Sequence, residues 1–354
     1  MRITFVLPGA GDLPVGGFKV VYEYANRLTL RGHTVRALHT AQPDRAAGLT
    51  TRLKKGVRFA QRTFDKSYRP GWFALHPDVR VSWRMTPAAG GVPDGDAVIA
   101  TSWETAEWAA GYPASKGRGF YLIQHYETWS GPAARVDATF TAGLRNVVIA
   151  RWLQEVVRAR GADAGYVPNG LDLEAFGVDV PRPERGPHAM MLYHDADWKG
   201  SADGLEALTR VKTQFPDLTA TLFGTPAPPA DLPEWISYER KPSPTRLRRL
   251  YNEAAVFLAT SWTEGWGLPG CEALLCGCAL AATDVGGHQE YALPGETALL
   301  SPPKDPAALA ENVVELLRNA PLRYSLAEQG YLYVRRFTWE RAVEGLGAEL
   351  VNAA

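Results

Sequence analysis

Short apolar runs rich in Val, Ile, Leu and Ala alternate along the chain with longer stretches whose apolar positions recur every three or four residues. Runs of the first kind read as strands buried on both faces, and stretches of the second kind as the helices that cover them. In the first half the pattern predicts strands over 3–7, 35–39, 79–83, 97–101, 120–124 and 146–150, with helices between several of them. In the second half it predicts strands over 189–193, 219–223, 256–260, 279–283 and 298–300, with 236–239 also strand-like. This alternation is that of parallel sheets with covering helices, so the expected class is α/β with two doubly wound, Rossmann-like sheets. Residues 168–187 hold four prolines and no clear period, and read as a linker and the entry to a second domain. Ligands of such sheets bind beyond the carboxyl ends of the strands, and two sheets are expected to face each other across a cleft.

Composition narrows the class. A chain of 354 residues exceeds what one core usually supports, so two domains are expected. Acidic and basic residues number 38 each, which argues against general nucleic-acid binding. The apolar opening 1–7 is stopped by Pro8-Gly9, too soon for a signal sequence, and no stretch approaches the length of a membrane span. The expected location is therefore cytoplasmic. Cys271, Cys276 and Cys278 lack the paired spacing of a zinc site and read as small buried residues, and no metal is expected.

The richest segment is Thr263-Glu264-Gly265-Trp266-Gly267-Leu268-Pro269-Gly270-Cys271-Glu272, which sets two carboxylates eight residues apart across a loop-to-helix junction. Gly265 and Gly267 allow a tight turn, and Pro269 suits the start of a helix near Leu268. Unpaired N–H groups and the positive end of the helix dipole make that start an anion site fit for a diphosphate. Glu264 before the helix and Glu272 past its first turn would then reach hydroxyls on either side of the phosphates. Downstream, Val285-Gly286-Gly287-His288-Gln289-Glu290 reads as a glycine turn opening another helix.

Together with the downstream Thr297-Ala298-Leu299-Leu300-Ser301-Pro302-Pro303, these segments resemble the C-terminal half of glycosyltransferase family 4. Pro14-Val15-Gly16-Gly17-Phe18 and Arg31-Gly32-His33 resemble that family's N-terminal glycine loop and first helix, and Tyr166-Val167-Pro168-Asn169-Gly170 its interdomain junction. The resemblance implies a GT-B fold: an acceptor-side domain over 1–168, rejoined by a C-terminal helix over 338–354, and a donor-binding domain over 169–337. It implies a retaining transfer of sugar from a nucleotide-diphosphate sugar to an acceptor hydroxyl in polysaccharide, glycolipid or other glycoconjugate synthesis. The donor is a substrate, so no cofactor is expected.

The resemblance also places residues. Lys199 contacts the donor diphosphate, while His194 stands where the family usually has an arginine, and Arg240 or Lys241 could supply that missing charge. Gly267 and Leu268 form the phosphate-facing helix entrance; Glu272 takes ribose hydroxyls and Glu264 donor-sugar hydroxyls. Gly16 and Gly17 line the substrate turn of the first domain, and His125 projects from a strand end beside the donor sugar, with Glu104 and Glu127 as further strand-end acids. Helix N-termini and Lys199 would neutralise the leaving diphosphate without metal, Asp195 and Asp197 being the alternative metal pair. Two other readings fit the same architecture, a sugar-nucleotide 2-epimerase and a noncatalytic sugar-nucleotide binding protein. Finally, 52–69 carries seven cations and one acid, interleaved with aromatics that continue to 73. It reads either as a solvated loop or as a patch for an anionic acceptor or the inner membrane face.

Overall fold

The structure, a computed structural model, describes residues 1–42, 44–46 and 48–352. The chain divides into two compact units, Met1–Gly170 with Trp339–Ala354, and Leu171–Thr338.

The first unit strings β1 (Arg2–Pro8), α1 (Gly16–Leu30), β2 (Thr34–Thr40), α2 (Leu49–Asp65), β3 (Arg80–Arg84), β4 (Ala97–Ala100), α3 (Trp103–Ala109), β5 (Arg118–Ile123), α4 (Ala133–Phe140), β6 (Arg145–Val148), α5 (Arg151–Arg158) and β7 (Ala164–Tyr166). Its strands lie in the order β3-β2-β1-β4-β5-β6-β7, all pairings parallel. β1, β4 and β5 are buried almost throughout, which is why they read as continuous apolar runs. The sequence pattern missed β7, whose three residues rely on pairing with β6.

The second unit holds β8 (His188–Leu192), α6 (Ser201–Gln214), β9 (Thr219–Gly224), β10 (Ile236–Arg240), α7 (Pro244–Glu253), β11 (Val256–Ala259), α8 (Leu268–Leu275), β12 (Ala279–Thr283), β13 (Ala298–Ser301), α9 (Pro306–Arg318) and α10 (Ala320–Val334). Its sheet runs β10-β9-β8-β11-β12-β13, again parallel. Leu208 and Val211 of α6 and Leu309 and Val313 of α9 close one face over Met191, Leu222 and Leu258. The final helix, α11 (Trp339–Asn352), returns to the first unit, where Trp339 meets Tyr24 of α1 edge-on at 5.4 Å.

Three expectations are corrected. The stretch after 170 is not a free linker: Asn252 Oδ1 accepts from the Asp179 and Val180 amides, and the buried Arg185 donates to the carbonyls of Ala254 and Cys276. Its prolines disguise backbone held by side chains rather than by a ladder. The glycines at 286 and 287 open only a three-residue 3-10 turn, His288–Glu290, not a helix. Of the cationic stretch 52–69, residues 52–65 are not a loop but belong to helix α2, in which no residue is fully buried. The three cysteines are unpaired and buried, and no helix among the described residues is long and apolar enough to cross a membrane.

Candidate active site

In the second unit the sheet reverses its winding at β8 and β11, so loops leaving their carboxyl ends diverge and open a crevice. The β8 loop carries Lys199 and the β11 loop carries Glu264. Local bonds stitch the two loops together: Thr260 Oγ1 donates to the Lys199 carbonyl at 2.8 Å, and the Trp262 amide to the Trp198 carbonyl at 2.7 Å. Gly200, at φ 63°, has no space for a Cβ beside the Thr260 carbonyl, so glycine is required there. The result is an ion pair, Lys199 Nζ to Glu264 Oε1 at 2.5 Å, with Ser261 Oγ donating to the same oxygen at 3.1 Å.

Helix α8 begins beside this pair. Gly267 is its N-cap at φ 93°, with no side-chain cap, and Pro269 falls in the first turn. The Tyr291 hydroxyl donates to the Gly267 carbonyl at 2.8 Å. A Cβ on Gly267 or Gly270 would stand 2.6 or 2.5 Å from that hydroxyl. The glycines thus serve packing as well as turning. Gly287 has a similar duty, its missing Cβ making room for the Glu264 carbonyl 2.5 Å away. Lys199, Glu264, Gly267, Pro269 and His288 line one hollow. His288 was not singled out from the sequence, because nothing local shows that its turn folds back on 264–267.

Glu272 lies on α8 at 7 % exposure, with Tyr251 Oη donating to its Oε2 at 3.2 Å. His194 lies in the β8 loop, five residues before Lys199. Its Nδ1 accepts from the Ala196 amide and its backbone bonds Ser201 Oγ, both at 2.9 Å, and burial and Lys199 lower its pKa. Arg240 ends the edge strand β10, exposed, its Nε donating to the Thr225 carbonyl at 3.3 Å, and does not line the hollow with Lys199. Asp195 and Asp197 are exposed.

In the first unit the sheet reverses at β1 and β4. Helix α1 starts at Gly16 without a side-chain cap, and a Cβ on Gly17 would stand 3.4 Å from the Gln124 amide. His125 follows β5, half-buried, its ring edge-on to Trp129 at 4.3 Å and Trp152 at 5.6 Å. Ser102, not Glu104, caps α3, while Glu127 Oε2 accepts from the Trp103 amide at 3.0 Å. Burial, more than the charge of Glu104, pushes the Glu127 carboxyl up to about 8 from 4.5, and Glu104 is raised by its own burial. The folded state therefore holds a proton that the unfolded chain releases between these values. Stability from this group is complete below pH 4.5 and is lost as pH rises through 8. Glu127→Gln should raise the melting temperature relative to wild type at pH 8.5, an advantage of about 1–3 kcal/mol that vanishes below pH 4.5. Thermal unfolding of both proteins across that range checks it.

Two doubly wound parallel sheets, each with its own switch point, are the architecture of the GT-B fold. Residues 190–319 match the family model described as glycosyl transferases group 1. The chain is 26 % identical to the phosphatidyl-myo-inositol mannosyltransferase of Mycobacterium tuberculosis, over 96 % of this chain and 93 % of that one. Among solved structures, HepE of Anabaena in complex with UDP-glucose superposes with a TM-score of 0.75 at 14 % identity, covering 99 % of both chains. The sucrose-phosphate synthase of Thermosynechococcus elongatus superposes at 0.73 and 16 % identity, over 98 % of this chain and 97 % of that one. These likenesses support the resemblance to glycosyltransferase family 4 read from the motifs, and the chain is a glycosyltransferase.

Proposed function

We propose that the protein transfers a hexose with retention from a nucleotide-diphosphate sugar to a lipid-linked acceptor at an anionic membrane surface. The Lys199–Glu264 pair carries the donor half of this reading. A diphosphate competes with Glu264 for the ammonium, and sugar hydroxyls compete with Lys199 for the carboxylate. As the glycosidic bond breaks, charge collects on the diphosphate, where Lys199 and the α8 N-terminus meet it already oriented. Glu272 takes the ribose hydroxyls.

Helix α2 carries the acceptor half. Leu49, Leu53, Val57 and Phe64 are 78, 72, 71 and 92 % exposed, and their spacing puts them on one stripe. The opposite side docks on the protein through Phe59, stacked on Trp83 at 5.5 Å, and Arg62, paired with Asp12 at 2.8 Å. An apolar stripe turned to solvent and bordered along one edge by Lys54 and Arg58 has the make-up of a helix lying in a lipid interface. The mannosyltransferase relative is named for a phospholipid acceptor, which supports the same placement.

The test is a panel of UDP- and GDP-hexoses, with and without EDTA and with anionic vesicles containing phosphatidylinositol. Release of nucleoside diphosphate with sugar moved to lipid, undiminished by EDTA, is the expected result. Loss of activity in EDTA restored by manganese would overturn the metal-free scheme in favour of Asp195 and Asp197. Isomerised donor with no release would overturn transfer.

A further inference from the structure

His288 lines the hollow, and the donor scheme gives it no task. Its side chain is 2 % exposed and packs against Gly267, where a Cβ would stand 3.2 Å from Nε2. The ring's hydrogen bonds run through Nδ1, at 2.8 Å to the Thr283 carbonyl and 3.3 Å to the Thr283 hydroxyl. That hydroxyl already donates to the Ser261 carbonyl at 2.5 Å. Both neighbours of Nδ1 are therefore acceptors, so Nδ1 carries the proton and Nε2 of the neutral ring is left as an acceptor. Burial lowers the pKa, which keeps the ring neutral.

An acceptor nitrogen is the wrong partner for a phosphate oxygen, which is also an acceptor. It suits an O–H. Glu264, on the same hollow, also accepts, and the close passage of Gly287 against the Glu264 carbonyl keeps the two residues on adjoining turns. Two acceptors lining one hollow suit two hydroxyls of a sugar ring. We propose that His288 Nε2 and the Glu264 carboxylate divide such a pair on the transferred sugar, so that His288 selects donors whose hexose carries both hydroxyls unsubstituted. The inference rests on the donor-site reading above and specifies which part of the donor this side chain reads.

Two variants separate recognition from packing. His288→Asn keeps a donor for the Thr283 carbonyl but has no atom at the Nε2 position. His288→Gln places an amide oxygen near Nε2. Each is assayed with the UDP- or GDP-hexose that wild type turns over and with its analogues lacking one ring hydroxyl in turn. In wild type, removal of one hydroxyl should lower kcat/KM about tenfold through His288. His288→Asn should use the parent donor about tenfold less well and show no further loss with that analogue. His288→Gln should retain much of the discrimination, and the Kd of the free nucleoside diphosphate should stay the same in all three. Discrimination in His288→Asn equal to wild type overturns the proposal, as does a matched fall in melting temperature and nucleoside diphosphate affinity in both variants. If wild type neither binds nor turns over any nucleotide sugar, the donor-site reading falls and this inference with it.

Discussion

Lys199→Ala is expected to lower kcat by about 10²–10³ while the protein stays folded, the loss found when a preorganised partner of developing negative charge is removed. The fold should survive because the loop is held through backbone atoms: Thr260 and Trp262 bond the carbonyls of Lys199 and Trp198, and neither bond needs the lysine side chain. Glu264→Gln should fall on turnover as well, since it loses the charge that orients Lys199 and presents an amide N–H where a sugar hydroxyl needs an acceptor. Glu272→Ala should act differently. It should weaken nucleoside diphosphate binding by about 1.5–3 kcal/mol, the worth of a hydrogen bond to a charged group. It also strips Tyr251 of a hydrogen-bond acceptor, so Glu272→Gln, which can still accept from Tyr251, controls for the structural part. Steady-state kinetics with the turned-over donor and calorimetric titration with its nucleoside diphosphate separate the two patterns. Unchanged kcat in Lys199→Ala, with unchanged affinity in Glu272→Ala, would remove both from the site.

The second large effect concerns helix α2. Leu53, Val57 and Phe64 are largely exposed, so changing all three to Gln should leave the unfolding free energy within about 0.5 kcal/mol of wild type. Wild type should co-sediment with phosphatidylinositol-containing vesicles, and this triple variant should not. Reversing Lys54, Lys55 and Arg58 to glutamate should weaken vesicle binding by about 1 kcal/mol for each cation lost, or roughly a hundredfold together. Binding by wild type should fade as salt shortens the screening length. Arg62 is left out of this set because its ion pair with Asp12 braces the glycine loop that precedes α1. Donor hydrolysis should be unaffected throughout. Salt-insensitive binding, or none by wild type, would leave α2 as an ordinary surface helix.

Most of the strands were legible in the sequence because a parallel sheet covered on both faces imposes uninterrupted apolar runs such as Phe5-Val6-Leu7 and Phe257-Leu258. The α8 entrance was legible too, since glycine at positive φ followed by proline is local chemistry. Local chemistry alone could not show α2. Its apolar positions keep helical spacing, but the cations among them mask a stripe that faces solvent instead of a core. The pair Lys199 and Glu264 is separated by 65 residues and meets only because β8 and β11 are neighbours at the point where the sheet reverses. His288 joins them because Gly287 lets one turn pass over another, and Arg185 is held in its buried place by two carbonyls from distant segments, those of Ala254 and Cys276, together with the nearby Val180 carbonyl. The residue pattern thus determined which segments become strands and which turn tightly at a helix start. Strand order and loop-over-loop packing, set by long-range pairing that no local window contains, decided which side chains share the site.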